Sequence, residues 1–150
     1  MTLKIIRTTF KNSNFINLVQ ALDPYLKKTD GEEHDFYNQF NTIDVLKGVV
    51  VVYLDEKPVG CGAIKKFDDF SVEVKRMFVS LEKRGNGIAQ EIVLELQKWT
   101  KELGYKKCVL ETGIRQTEAV KLYQKNGFQR IENYGQYKGK ENSICFEKTL

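Results

Sequence analysis

The chain has 150 residues and a mass of 17.4 kDa, so we expect residues 1–150 to form one domain with a substantial core. Apolar residues make up 41% of it and no apolar run is long enough to span a membrane, which excludes disordered, fibrous and membrane-spanning classes. The net charge is +4, but no more than two basic residues follow one another, so we expect no nucleic-acid partner.

Periodicity of the apolar residues predicts strands alternating with helices along the chain. The first helix would be capped by Asn12 or Ser13, and Pro24 is expected to disturb it. Strands are predicted at 3–8, 48–54, 59–66, 71–79, 107–111, 128–131 and 143–148, and helices at 13–22, 32–40, 88–103 and 116–126. The strands from 48 to 79 look like an antiparallel meander, so the order predicts an α/β (or α+β) domain with a mixed sheet.

Cysteine and histidine are scarce and isolated. Cys61, Cys108 and Cys145 have no CxxC spacing, so we expect small core residues rather than disulfides or a zinc site. His34 is the only histidine, which excludes a multi-histidine metal centre, and we expect it to be exposed or on the acceptor side rather than catalytic. The first residues form no signal peptide, and we therefore expect a cytoplasmic protein.

The charge is concentrated in the second half of the chain, which contains a candidate anion site. Residues 76–150 carry fourteen Lys and Arg against nine Asp and Glu, whereas residues 1–75 carry ten against eleven. The segment Arg84-Gly85-Asn86-Gly87-Ile88-Ala89 lies between a strand and a long helix. Its glycines allow a sharp turn, the helix N-terminus favours negative charge, and an arginine guanidinium suits phosphate. A P-loop is excluded because no Gly-Lys pair follows, and a dinucleotide fingerprint lacks its third glycine.

Read as Arg84-x-x-Gly87-x-Ala89 after an extended strand, this segment resembles the acyl-CoA pyrophosphate motif of the GNAT family of N-acetyltransferases. Downstream, Ala119–Phe128 resembles the family's A-x-x-L-Y-x-x-x-G-F segment. The resemblance implies a GNAT-like single domain with a mixed, mostly antiparallel sheet of six or seven strands, about four flanking helices and a splay at the cofactor strand. It also implies acetyl-CoA as co-substrate, an amine as acceptor, no metal, and a domain type that often forms homodimers.

Family likeness also implies roles for particular residues. The pantetheine arm of acetyl-CoA would lie along Met77, Phe78 and Val79, and its pyrophosphate would be held by the backbone of Arg84, Gly85, Asn86, Gly87, Ile88 and Ala89. Gln116 stands where many relatives carry an asparagine that contacts the cofactor. Tyr123 matches the family tyrosine whose hydroxyl lies near the coenzyme A sulfur and protonates it or hydrogen-bonds it.

Glu73 is the candidate base that deprotonates the amine, directly or through water. It alternates along its strand with Val72 and Val74, and we expect it to share the face of Met77 and Val79. The alternative, that Glu73 is an exposed strand glutamate paired with Lys75, explains this residue almost as well. The corresponding alternative for Tyr123 is an aromatic residue that only packs in its helix. For the protein as a whole, the alternative to an enzyme is a non-catalytic acyl-CoA-binding or regulatory module.

The acceptor is expected between the N-terminal helices and the C-terminal strands. Acidic and aromatic residues there would suit a cationic amine: Asp30, Glu32, Glu33, Asp35, Phe36, Tyr37, Phe40, Tyr134 and Tyr137. A solvated helix face explains the acidic residues at least as well. Glu111 and Thr112 end a strand and are expected to border the cleft.

Overall fold

The backbone of the described chain is organised by a seven-stranded sheet. The structure is a computed structural model. It describes residues 2–30 and 46–150, and for residues 23–30 it describes only the backbone. The strands are β1 (Leu3–Thr8), β2 (Gly48–Leu54), β3 (Lys57–Lys66), β4 (Ser71–Val79), β5 (Lys107–Gly113), β6 (Gln129–Ile131) and β7 (Ser143–Thr149). Their order is β1-β2-β3-β4-β5-β7-β6, and only the β4–β5 pair is parallel. The mixed, mostly antiparallel sheet and its β2–β4 meander are therefore confirmed.

Three helices within the described residues cover this sheet: α1 (Ser13–Asp30), α2 (Ile88–Glu102) and α3 (Thr117–Lys125). The Asn12 side chain accepts the Phe15 N–H at 3.0 Å and so caps α1. Contrary to the sequence expectation, α1 continues through Pro24, because proline removes one backbone hydrogen bond without necessarily ending a helix. The helix predicted at 32–40 lies outside the described residues. None of the described helices is long and apolar enough to cross a membrane.

Both faces of the sheet are buried, which explains the unbroken valine run of β2. Val49 and Val51 pack in a cluster with Phe15 and other residues of α1, on what we call the α1 face. Val50 and Val52 pack on the opposite side with residues of α2, the α2 face. Alternation along a strand sends successive side chains to opposite faces, so each face receives its own apolar set. The three cysteines are free and buried, as expected.

A β-bulge interrupts β4 and reverses the alternation of its side chains. Even-numbered residues face the α2 side before the bulge, and odd-numbered residues face it afterwards. The register with β3 shifts between Cys61 and Ala63, and Arg76 has a φ of +60°. Val72 and Val74 pack on the α2 face, and beyond the bulge Met77 and Val79 pack there as well. Phe78 packs on the α1 face.

This inversion contradicts the expected arrangement of Glu73. Since Glu73 lies between Val72 and Val74, it points to the α1 face, whereas Met77 points to the α2 face. The prediction that Glu73 shares a face with Met77 and Val79 is therefore wrong. Strict alternation fails because the bulge inserts one extra residue between Glu73 and Met77.

The sheet opens between β4 and β5. Their parallel pairing covers three registered pairs and ends at Glu73 opposite Val109. Beyond that point β4 continues to Val79 beside β3, while β5 continues to Gly113 beside β7. The two strands therefore part, and the predicted splay is confirmed.

The packing of α2 on the bulge predicts that Gly62→Ala destabilises the protein. A Cβ at Gly62 would lie 2.6 Å from Cγ2 of Ile92 and 2.8 Å from Sδ of Met77. We expect the free energy of unfolding to fall by about 1–3 kcal/mol, because extra atoms must displace a packed core. Urea unfolding followed by circular dichroism measures this, with the exposed Lys57→Ala on the same strand as control. Unfolding of Gly62→Ala at the wild-type midpoint would contradict the close packing.

Candidate functional site

The opening between β4 and β5 holds a cavity of about 120 Å³. Its walls come from β4, the end of β5, α3 and the residue before it, the loop before β7, and Leu22 of α1. Four charged residues belong to the lining: Glu73, Lys75, Arg76 and Glu111. Thr112 lines it as well, so the expectation that Glu111 and Thr112 border a cleft is confirmed.

A groove of about 220 Å³ lies beside this cavity. It is lined by Met77, Phe78 and Val79 of β4, by the loop that precedes α2, and by part of α3. Gln116 and Tyr123 line both the groove and the cavity. The fold thus places the loop, the end of β4 and the two α3 residues around one continuous depression.

The loop before α2 has the backbone that its glycines predict. Gly85 and Gly87 have φ values of +85° and +76°, and no heavy atom lies within 4 Å of a Cβ built on either. They are therefore required for conformation, and the space beside them is open. Arg84 Nε donates to the Val79 carbonyl at 3.0 Å, and Asn86 Nδ2 donates to the Lys83 carbonyl at 3.0 Å.

The first turn of α2 follows directly from this loop. Its N-cap is Gly87, and no side chain caps it, so the N–H groups of that turn have no side-chain acceptor there. A helix N-terminus of this kind favours an anionic ligand, and Arg84 and Lys83 of the groove lining add positive charge.

Tyr123 is held in place by the way α3 ends. Gly127 has a φ of +86°, its N–H bonds to the Gln124 carbonyl at 3.1 Å, and the Phe128 N–H bonds to the Tyr123 carbonyl at 3.0 Å. These two bonds form a Schellman motif, whose usual apolar contact is supplied here by the Tyr123 and Phe128 rings, 5.6 Å apart. The L-Y-x-x-x-G-F pattern therefore encodes the position of the tyrosine.

The Tyr123 side chain is 5% exposed. Burial raises the pKa of its phenol, and the nearby Glu111 charge raises it further. The phenol is consequently protonated at neutral pH, and it lies at the junction of groove and cavity.

Glu73 is nearly buried and accepts a hydrogen bond from a distant tyrosine. The Tyr134 hydroxyl donates to Glu73 Oε2 at 2.5 Å, and Lys75 Nζ lies 3.7 Å from Glu73 Oε1. Burial raises the pKa of Tyr134, and the Glu73 charge raises it too. The expected Lys75 pairing is therefore present, but the glutamate is 6% exposed rather than an exposed strand residue.

Aromatic residues of the C-terminal loop complete the α1 side of the cavity. The Tyr134 ring packs edge-on against Tyr137 and against Phe67, with centroids 5.8 and 4.8 Å away. Tyr137 lines the cavity and Tyr134 contacts Glu73, while their placement on the acceptor side stays a prediction. The predicted acidic and aromatic residues from 30 to 40 lie outside the side chains that the structure describes.

Arg76 is a cavity residue that sequence reasoning missed. It shares the parity of Val72 and Val74, so strict alternation would put a guanidinium on the apolar α2 face. That conflict was the available signal for a bulge. The side chain is 8% exposed and lines the cavity with Lys75.

Metal ligands are not clustered in this region. Among the residues that the structure describes, no group of three or more His, Cys, Asp or Glu side chains could hold a metal ion.

Comparison with known proteins identifies the family. Residues 15–128 match the model of the acetyltransferase (GNAT) family. The IAA acetyltransferase of Azospirillum brasilense is 30% identical over 139 residues, covering 90% of either chain. An uncharacterized N-acetyltransferase of Bacillus subtilis, YsnE, is 33% identical over 93 residues, which cover 61% of this chain and 62% of that one.

Solved structures agree with this match along nearly the whole length. A Klebsiella pneumoniae protein described as an acyl-CoA N-acyltransferase superposes with a TM-score of 0.83 at 25% identity, covering 99% of this chain and 98% of that one. PaiA N-acetyltransferase from Thermoplasma acidophilum, solved in complex with coenzyme A, superposes with a TM-score of 0.74 at 18% identity and full coverage of both. The fold and its splayed sheet are those of an acyltransferase, and the chain belongs to the GNAT acetyltransferase family.

The contact between Tyr134 and Glu73 predicts energetic coupling across 61 residues of sequence. Unfolding free energies of Tyr134→Phe, Glu73→Gln and the double variant should give a coupling of about 1.5–3 kcal/mol, the usual range for a hydrogen bond to a charged group. Urea unfolding of the four proteins measures it. Additive losses would show that the two side chains do not interact in solution.

Proposed function

We propose that this chain is an N-acetyltransferase that moves an acetyl group from acetyl-CoA to a primary amine, by direct transfer in a ternary complex. The observation that carries the proposal is the shared depression, with Tyr123 at its junction and Glu73 on the α1 side. Family membership supports acyl transfer, and the site residues of this chain supply a reason for each step.

Acetyl-CoA would bind along the groove. The backbone N–H groups of Arg84 to Ala89 and the first turn of α2 would receive the pyrophosphate, which accounts for the positive second half of the chain. The pantetheine arm would pair with the main chain of Met77 to Val79 like an added strand, because β4 has no β5 partner beyond Glu73. Gln116, at the start of α3, would contact the cofactor through its amide.

The reaction requires two proton movements. The amine nitrogen forms a bond to the acetyl carbon as the carbon–sulfur bond breaks, the amine proton leaves, and the sulfur gains a proton. Glu73 would take up the amine proton, directly or through a water, since its carboxylate lines the cavity and is oriented by Tyr134. Tyr123 would hydrogen-bond the departing sulfur and pass it a proton, because its phenol lies where the groove that would hold acetyl-CoA meets the cavity.

Relatives support the co-substrate more than the acceptor. PaiA of Thermoplasma acidophilum was solved with coenzyme A, so this fold accommodates that molecule in at least one protein. The A. brasilense relative is named as an acetyltransferase, which favours acetyl over longer acyl groups here.

Gly87→Ala tests the pyrophosphate site. A side chain at a φ of +76° strains the loop and enters its open space, so we expect the affinity for coenzyme A to fall at least tenfold. Isothermal titration calorimetry measures it. Gly104→Ala is the matched control, because Gly104 also has a positive φ of +94° and open surroundings but lies at the other end of α2. Equal affinities of the two variants would exclude the loop as the pyrophosphate site.

Tyr123→Phe and Glu73→Gln test the chemistry. Each should lower kcat for acetyl transfer by about 10²–10⁴, the usual contribution of a positioned acid or base, and leave the coenzyme A affinity unchanged. Thiol release from acetyl-CoA over a panel of primary amines measures kcat. A double variant with wild-type activity would remove both assigned roles, and a wild type that binds acetyl-CoA but transfers to no amine would favour a binding module.

A further inference from the structure

A hydrogen bond between two side-chain amides connects the end of α3 to the first turn of α2. Asn126, the C-cap residue of α3, donates from Nδ2 to Gln90 Oε1 at 2.8 Å. The same nitrogen donates to the Leu122 carbonyl, also at 2.8 Å. An amide nitrogen carries two hydrogens and a main-chain carbonyl can only accept, so both hydrogens have an acceptor in this orientation alone. The orientation of the Asn126 amide, and with it the bond to α2, is therefore fixed.

Asn126 is held by three elements of the fold. It is 8% exposed, and its N–H bonds to the carbonyls of Leu122 and Tyr123, both at 3.1 Å. Lys148 Nζ, from β7, donates to the Asn126 carbonyl at 2.7 Å, and a cation at this end of a helix also complements the helix dipole. Contacts with α2, α3 and β7 thus leave little freedom to this residue, which lies three positions after Tyr123.

Gln90 belongs to the turn of α2 that would receive the pyrophosphate. The N–H of Glu91 donates the first hydrogen bond of this helix, to the Gly87 carbonyl at 3.1 Å. The N–H groups of Ile88, Ala89 and Gln90 precede it, and N–H groups at these positions have no acceptor within the helix. Gln90 therefore offers its main chain to the anion site and its side chain to α3.

A connection between α2 and α3 matters because the co-substrate spans both. In the proposed function the pyrophosphate lies at the first turn of α2, and the thioester sulfur lies near the Tyr123 hydroxyl, which lines the same groove. Proton transfer needs a donor within hydrogen-bond reach of the sulfur, so the distance from that turn to Tyr123 must match the molecule. The Schellman motif at Gly127 fixes Tyr123 relative to α3, but it does not fix α3 relative to α2.

We propose that Asn126 is a positioning residue, which through Gln90 holds α3 against the first turn of α2 and so sets the place of the Tyr123 hydroxyl relative to the bound co-substrate. Neither Asn126 nor Gln90 is among the described residues that line the groove or the cavity. Asn126 thus acts through Tyr123 and not on the reacting atoms. The inference rests on the proposed function, because it assumes the role given there to Tyr123.

Gln90→Met tests the connection. Methionine removes the acceptor but keeps an unbranched side chain of similar helix propensity, and Asn126 retains its bond to Leu122. We expect kcat for acetyl transfer to fall by about 10–10²-fold, since a small displacement of a reacting group has effects of this size. Coenzyme A affinity measured by calorimetry should stay within about threefold of wild type, because the N–H groups of the turn remain. Gln124→Met, the same change at an exposed position of α3, is the matched control and should alter neither quantity.

A Tyr123→Phe background separates positioning of the hydroxyl from a general loss of structure. Without a hydroxyl to place, adding Gln90→Met should lower kcat by no more than about twofold further, because the two changes interrupt one chain of contacts. Wild-type kcat in Gln90→Met, or an undiminished further loss in the Tyr123→Phe background, overturns the inference and leaves the proposed function intact. Wild-type kcat in Tyr123→Phe alone contradicts both the role of Tyr123 and the inference.

Discussion

The parting of β4 and β5 is the constraint on which the rest of the structure depends. Parallel neighbours have no hairpin to hold them together, and here only three registered pairs connect them before each strand follows its antiparallel partner. In a closed sheet, β5 would occupy the edge of β4 at Met77 to Val79, and no ligand could pair with that main chain. The sheet would also separate Tyr123 from the α1 side. Because the strands part, a depression passes through the sheet and is accessible to residues of both faces.

Because of the bulge at Arg76, the two parts of β4 place their side chains differently on the two faces of the sheet. Beyond it, Met77 and Val79 pack on the α2 face beside the groove, while before it Glu73 and Lys75 point to the α1 face. One strand therefore presents its end to the groove and its middle to the cavity. The cost is a strained arginine and a site at Gly62 where no side chain fits beneath α2.

Polar groups in the opening are buried, so their partners determine what they can do. The Tyr134 hydroxyl orients Glu73, and the Schellman motif at Gly127 orients Tyr123. The end of α3 also contacts the start of α2, since Asn126 Nδ2 donates to Gln90 Oε1 at 2.8 Å. The position of Tyr123 is therefore coupled to the loop with which it lines the groove.

The amino-acid sequence by itself determined the described elements and the backbone of the loop that lines the groove. Valine runs, glycine pairs and the ends of α2 and α3 are local patterns, and local patterns encode local backbone, as at Gly87 and Gly127. Tertiary structure alone decided how the residues of the cavity are combined. The face of Glu73 depends on a bulge in pairing with another strand, and its tyrosine partner lies 61 residues away. Neither depends on neighbouring residues, so periodicity could signal an irregularity at Arg76 but could not show that its side chain shares the cavity with Glu73.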